Sequence, residues 1–135
     1  MSRYVLKADP DQDLYGIWST VVDNVALAGT RAHLAATGVD AERIDRADAH
    51  GTSARERTDD GELLRPGGWD AAGLLVREQP YAPCDGYGEG WLPRERLAAF
   101  LQAFRRCDDR AAGALLDPLP DDDSEAETTL EMPNA

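Results

Sequence analysis

The stretch "LYGIWSTVV", Leu14 to Val22, is the densest run of aromatic and β-branched residues in the chain, and its reading decides the fold. Its two alternating sets are Leu14, Gly16, Trp18, Thr20, Val22 and Tyr15, Ile17, Ser19, Val21, and neither contains a charge. A strand with two uncharged faces belongs in the middle of a sheet, covered at least partly on both sides. Upstream, "RYVLKA" (Arg3 to Ala8) alternates around Tyr4, Val5 and Leu6, and "DPDQD" (Asp9 to Asp13) supplies a turn. Downstream, "DN" (Asp23-Asn24) turns the chain into "VALAG", Val25 to Gly29. The pattern predicts a three-stranded antiparallel meander over residues 3–28.

Helical signals follow. Thr30 suits the N-cap of "RAHLAAT", which Gly38 stops, and Asp40 suits the N-cap of "AERIDRADAH", which ends at Gly51. Ile44 is the only large apolar side chain of the second helix, so it is expected on the surface, packed along one narrow edge, with Glu42 paired to Arg46. "TSARERTDDGELLR" (Thr52 to Arg65) reads as a polar loop, and "GLLVREQ" (Gly73 to Gln79) as a further strand. Pro93 fits a first helical position, and Leu97, Phe100, Leu101 and Phe104 follow at i, i+3, i+4 and i+7. They predict a core-facing helix over 93–107, with Arg94 and Arg105 along one margin of its stripe. The expected fold class is α+β: an antiparallel β-meander of three to four strands packed by a C-terminal amphipathic helix, with a short helical insertion. Residues 1–107 form the domain, and the acid-rich segment 108–135 reads as a disordered tail.

The net charge is −12. From Asp108 onward nine acids face the single base Arg110, which leaves 17 acids and 13 bases in residues 1–107. Lys7 is the only lysine; the other bases are arginine, a bias that fits a GC-rich genome. Phosphate contacts supply most of the affinity of a nucleic-acid binder, so an acidic chain argues against direct nucleic-acid binding. That class would require a compact arginine patch drawn from Arg31, Arg43, Arg46 and Arg77. "MSRYVLKADP" has no apolar core of an export signal, and no segment has the length of a membrane span, so a cytoplasmic setting with Cys84 and Cys107 as free thiols is expected.

Several motifs suggest chemistry and lose it on inspection. In "CDGYGEGWLPRERLAAFL" Gly86 and Gly88 fit the first two places of a dinucleotide fingerprint, but Trp91 stands in the third and Asp85 and Glu89 would repel phosphate. The run is read instead as a turn that lets Trp91 and Leu92 tuck under the helix. Asp9, Asp11 and Asp13 imitate a calcium loop, but Leu14 and Thr20 occupy the places that need Gly and Glu. His33, His50, Cys84 and Cys107 lack the close spacing of a zinc site. No cofactor, metal ligand or catalytic residue is assigned. The tryptophans and tyrosines Trp69, Tyr81, Tyr87 and Trp91 lie in or beside glycine- and proline-rich loops, and are the candidate partner-binding residues. The competing reading makes them caps on a corner of the core.

At "DLYGIWSTVVDNVALAGTRA", "RIDRADAHGTSA" and "GWLPRERLAAFL" the chain resembles small proteins of GC-rich actinobacteria and their phages. The resemblance spans most of residues 3–104 and implies a bacterial or phage setting; it brings no activity, cofactor or catalytic residue. The expected function is a non-enzymatic protein-interaction module, of the kind a phage or mobile element uses to bind and modulate a host protein. The alternative is a small metal-dependent hydrolase or nuclease using surface carboxylates. A protein partner is expected, no membrane, and a homodimer is left open.

Overall fold

The structure, a computed structural model, describes residues 3–20, 24–77 and 89–119. Strands β1 (Arg3–Lys7), β2 (Tyr15–Ser19) and β3 (Asn24–Gly29) form an antiparallel sheet in the order β1-β2-β3. β2 is central and buried along its whole length, as two uncharged faces demand. Ala8 N donates to the carbonyl of Leu14 at 2.9 Å, which closes the aspartate-rich turn. Ala26 is the extra residue of a bulge, because Ile17 pairs with Leu27 and Trp18 with Val25. The bulge sends Val25 and Leu27 to opposite faces, so each side of the sheet receives an apolar side chain from β3.

Each face has its own core. On one, Val5, Tyr15 and Ile17 meet Leu34 of α1 (Arg31–Ala36) and Ile44 and Ala47 of α2 (Ala41–His50). The second helix is surface-lying and packs through the narrow edge its composition allows. Thr30 Oγ1 accepts the His33 N–H at 3.2 Å, and Gly51 ends α2 in the left-handed conformation at φ 84°. On the other face, Tyr4, Leu6, Trp18 and Val25 meet Leu97, Phe100 and Leu101 of α3 (Leu97–Arg105). Gly16 lets α3 come close, since a Cβ there would stand 2.7 Å from Leu101 Cδ2. Full burial of Phe100 alone contributes about 2–3 kcal/mol.

The architecture is α+β, with three small antiparallel sheets. Several local expectations are revised. The polar stretch 52–65 holds a two-stranded hairpin, β4 (Glu56–Arg57) and β5 (Leu63–Leu64). The strand expected near 73–79 is β6 (Gly73–Val76), and it does not extend the meander. It pairs with β7 (Gly90–Pro93), so Pro93 closes a strand and does not open the helix. Residues Arg94–Arg96 form a 3-10 turn before α3 begins. Proline suits a strand end as well as a helix start, having no N–H to lose at either place. Of the segment 108–135, residues 108–119 are described: α4 (Asp109–Ala114) packs on α3 and buries Ala112, and Asp117 exchanges two backbone hydrogen bonds with Trp91 at 2.7 and 2.8 Å. Among the described residues no helix is long and apolar enough to cross a membrane.

Candidate functional site

The outer edge of β1 is covered for most of its length. Lys7 N donates to the Gly51 carbonyl, Ser53 N to the Val5 carbonyl, and Val5 N to Ser53 Oγ. After Ser53 the chain leaves the edge, and a cleft of about 600 Å³ opens between the start of β1, α2 and the segment leading to β4. Arg3, Arg43, Arg46 and Arg55 line it. Arg43 and Arg46 stand three apart on α2, on the flank of the face that buries Ile44 and Ala47, so helix packing aims them at the same opening. Arg43 Nη2 donates to the Arg3 carbonyl, and Arg46 Nε to the Ser53 carbonyl at 3.0 Å. Arg46 thus braces the cleft wall where the sequence predicted a pair with Glu42.

Among the described residues these arginines have no counterion. Among the described residues the ion pairs belong elsewhere: Lys7 and Arg31 with Asp48, Arg31 with Asp45, and Arg96 with Asp117. Arg3, Arg43, Arg46 and Arg55 make none, in a chain with 26 acids for 14 bases. Glu56 is the one carboxylate among the described residues of the cleft lining. Ser53 Oγ accepts the Val5 N–H, which leaves the hydroxyl proton to donate. The cleft is therefore a concentration of arginine donors facing solvent on an acidic molecule.

Two other polar clusters are satisfied within the fold. Asp48 accepts from Lys7 Nζ (2.7 Å) and Tyr15 Oη (2.6 Å) through one oxygen, and from Arg31 Nη1 (2.8 Å) through the other. Burial alone would raise the Asp48 carboxyl, but the bonds from Lys7 and Tyr15 and the charges of Lys7 and Arg31 outweigh it and hold it below the usual range. Burial and the bond to Asp48 raise the Tyr15 phenol. Burial would lower Lys7, yet its bond to Asp48 leaves it raised, so the chain's only lysine is a locked cation and no nucleophile.

Arg94 is the other cluster. It is buried, and it donates to the carbonyls of Lys7, Ala8, Gly51, Gly67 and Gly68 at 2.6 to 3.2 Å. Burial pushes its guanidinium down to about 10, with the charge of Asp9 opposing that shift. Every hydrogen bond goes to a neutral carbonyl, so this arginine clamps three chain segments together.

Of the candidate partner-binding aromatics, Trp69 and Trp91 are among the described residues. Trp69 is half-buried: its ring lies under the Arg94 guanidinium at 5.1 Å and against Gly51, and its Nε1 donates to the Ala49 carbonyl at 3.3 Å. Trp91 sits in β7, not in a loop, with its indole over Gly73. Tyr81 and Tyr87 lie outside the described residues, as do Gly86 and Gly88. Gly90 opens β7, and Leu92 is fully buried. Of the arginines weighed for a basic patch, Arg43 and Arg46 meet in the cleft. Arg31 is bound to Asp45 and Asp48, and Arg77 follows β6, where its carbonyl accepts from Asn24 Nδ2. Arg3 and Arg55 complete the cleft, and only the pairing of residues 51–53 with β1 brings them there. The one readable hint was the Arg43–Arg46 spacing beside Ile44.

Among the described residues no group of three or more His, Cys, Asp or Glu side chains could hold a metal ion. Comparison with protein-family models, with curated proteins and with solved structures returns no match to this chain.

Proposed function

We propose that this chain is a non-enzymatic interaction module that binds a protein partner through the arginine cleft. The observation that carries the reading is the set of four cleft arginines that make no ion pair among the described residues. In a molecule with so many acids, an arginine left unpaired is one whose counterion comes from elsewhere. Among the described residues the cleft lining holds no histidine or cysteine, and its serine already accepts a backbone N–H, which favours recognition over nucleophilic chemistry. Surrounding acids repel partners that lack a matching anionic patch, which adds selectivity.

The test is affinity capture with the intact chain as bait, beside the charge-reversed Arg43→Glu/Arg46→Glu chain. The reading expects a partner retained by the first, lost by the second, and released by salt. Equal retention by both overturns it, and so does the absence of any specific partner.

A further inference from the structure

The cleft does not end at Arg55. A second cavity of about 320 Å³ shares that residue and continues along the β4–β5 hairpin past Arg57, Leu63 and Arg65. A third, of about 280 Å³, shares Leu63 and Arg65 with the second and closes against Leu64 and Trp69. Shared wall residues place the three cavities side by side, and the row they form, taken together as a groove, has a polarity. Its first end is arginine-lined. Its far end offers two half-buried leucines and an indole, and there Glu62 and Asp70 enter the lining. Arg57 Nη1 donates to the Gly61 carbonyl at 2.9 Å, so the hairpin holds that guanidinium in place along the middle of the groove.

We infer that the groove takes an extended peptide segment of the partner in which a run of acidic residues is followed by an apolar or aromatic one. This rests on the interaction reading above and specifies its ligand. Carboxylates match the planar two-donor edge of arginine, so a run of them can be held in order from Arg43 and Arg46 towards Arg57. Beyond that point Glu62 and Asp70 repel further acids, and Leu63, Leu64 and the exposed part of Trp69 favour an apolar side chain. The same two acids discriminate against a nucleic-acid strand, which carries charge at every unit and would bring phosphates past them. The net charge of −12 opposes a long polyanion as well.

Titration calorimetry on the intact chain at low ionic strength tests this with three probes: consecutive glutamates ending in Gly-Leu-Phe, the same glutamates without that ending, and an oligothymidylate of similar length. The expected order is the first peptide tightest, in the micromolar range, the plain glutamates weaker, and the oligonucleotide weakest. Arg55→Gln/Arg57→Gln should weaken both peptides by about tenfold, the scale of two exposed charge pairs. Leu64→Ser should weaken only the peptide with the apolar ending. Arg105→Glu/Arg106→Glu, two exposed arginines at the end of α3, should change nothing. Tighter oligonucleotide binding, indifference to the apolar ending, or equal loss in the α3 variant overturns the inference. If no peptide binds while the captured partner is still lost on reversing Arg43 and Arg46, the module reading stands and the extended-peptide inference falls. If capture ignores that reversal, the module reading itself falls.

Discussion

The guanidinium of Arg94 lies over the indole of Trp69, 5.1 Å from the ring, while its three nitrogens donate to five backbone carbonyls from three separate segments. Each of these residues looks like a surface group in the sequence, and each gives the other a reason to be inside. The cation has no carboxylate partner at hydrogen-bond distance. The ring quadrupole and the converging carbonyl dipoles replace the water it has lost.

Arg94→Lys keeps the charge and removes the fork. An ammonium reaches at most three of the five carbonyls, so the tie between the three segments weakens even though Gly51 and Gly68 keep donors in Lys7 N and Ala71 N. The substitution should destabilise the domain by about 2–4 kcal/mol, a fall in Tm of roughly 10 °C or more for this size. Thermal unfolding checks it, and an unchanged Tm would show that water satisfies those carbonyls.

Asp48→Asn tests the network on the opposite side of β2. The Asp48 carboxyl is held low in the folded state, so its stabilisation is present above the unfolded value near 3.8 and is lost as pH falls through the folded one. At neutral pH the variant should lose about 1–2 kcal/mol. That is the modest end for charge-assisted bonds, because the side chain is 34 % exposed and screened by solvent. Below about pH 4 the two proteins should converge as the wild-type carboxylate protonates. Urea melts across that window measure the gap, and a gap independent of pH contradicts the assignment.

Gly73→Ala examines the β6–β7 pairing. A Cβ at this position would lie 2.3 Å from the Leu92 carbonyl oxygen and 2.7 Å from the Trp91 ring, and backbone cannot yield as a side-chain tip can. The strands must part, at a cost of about 2–3 kcal/mol, with faster amide exchange at Leu74 and Leu92. A neutral effect would mean that the two strands are not in this register.

Cys107→Gly should stabilise. Cys107 follows the C-cap of α3 at φ 53°, the conformation glycine adopts without steric cost, and its side chain is exposed. A gain of about 0.5–1 kcal/mol in chemical denaturation is expected, reduced by the greater freedom glycine has in the unfolded chain. A loss would assign the thiol a packing role.

The arginine cleft divides the legible from the illegible. The spacing of Arg43 and Arg46 beside Ile44 was visible, as was the excess of acids around them. Arg3 and Arg55 could not be joined to them, because residues 51–53 had to lie along β1 first, and nothing local in "GTSAR" announces that pairing. Trp69 drew attention as a loop aromatic, and the structure gives half of it to Arg94 and the rest to the groove wall.

The sequence by itself determined the meander and the apolar stripe of α3, because strand alternation, turn residues and helical spacing act between near neighbours and need no knowledge of the rest of the chain. Only the tertiary structure decided that Arg94 is buried while Arg3, Arg43, Arg46 and Arg55 line one cleft with no ion pair among the described residues, that Pro93 ends a strand, and that β6 pairs with β7. A charged side chain finds its place through whatever dipoles or counterions distant segments bring to it, and those long-range meetings leave no periodic trace in the order of residues.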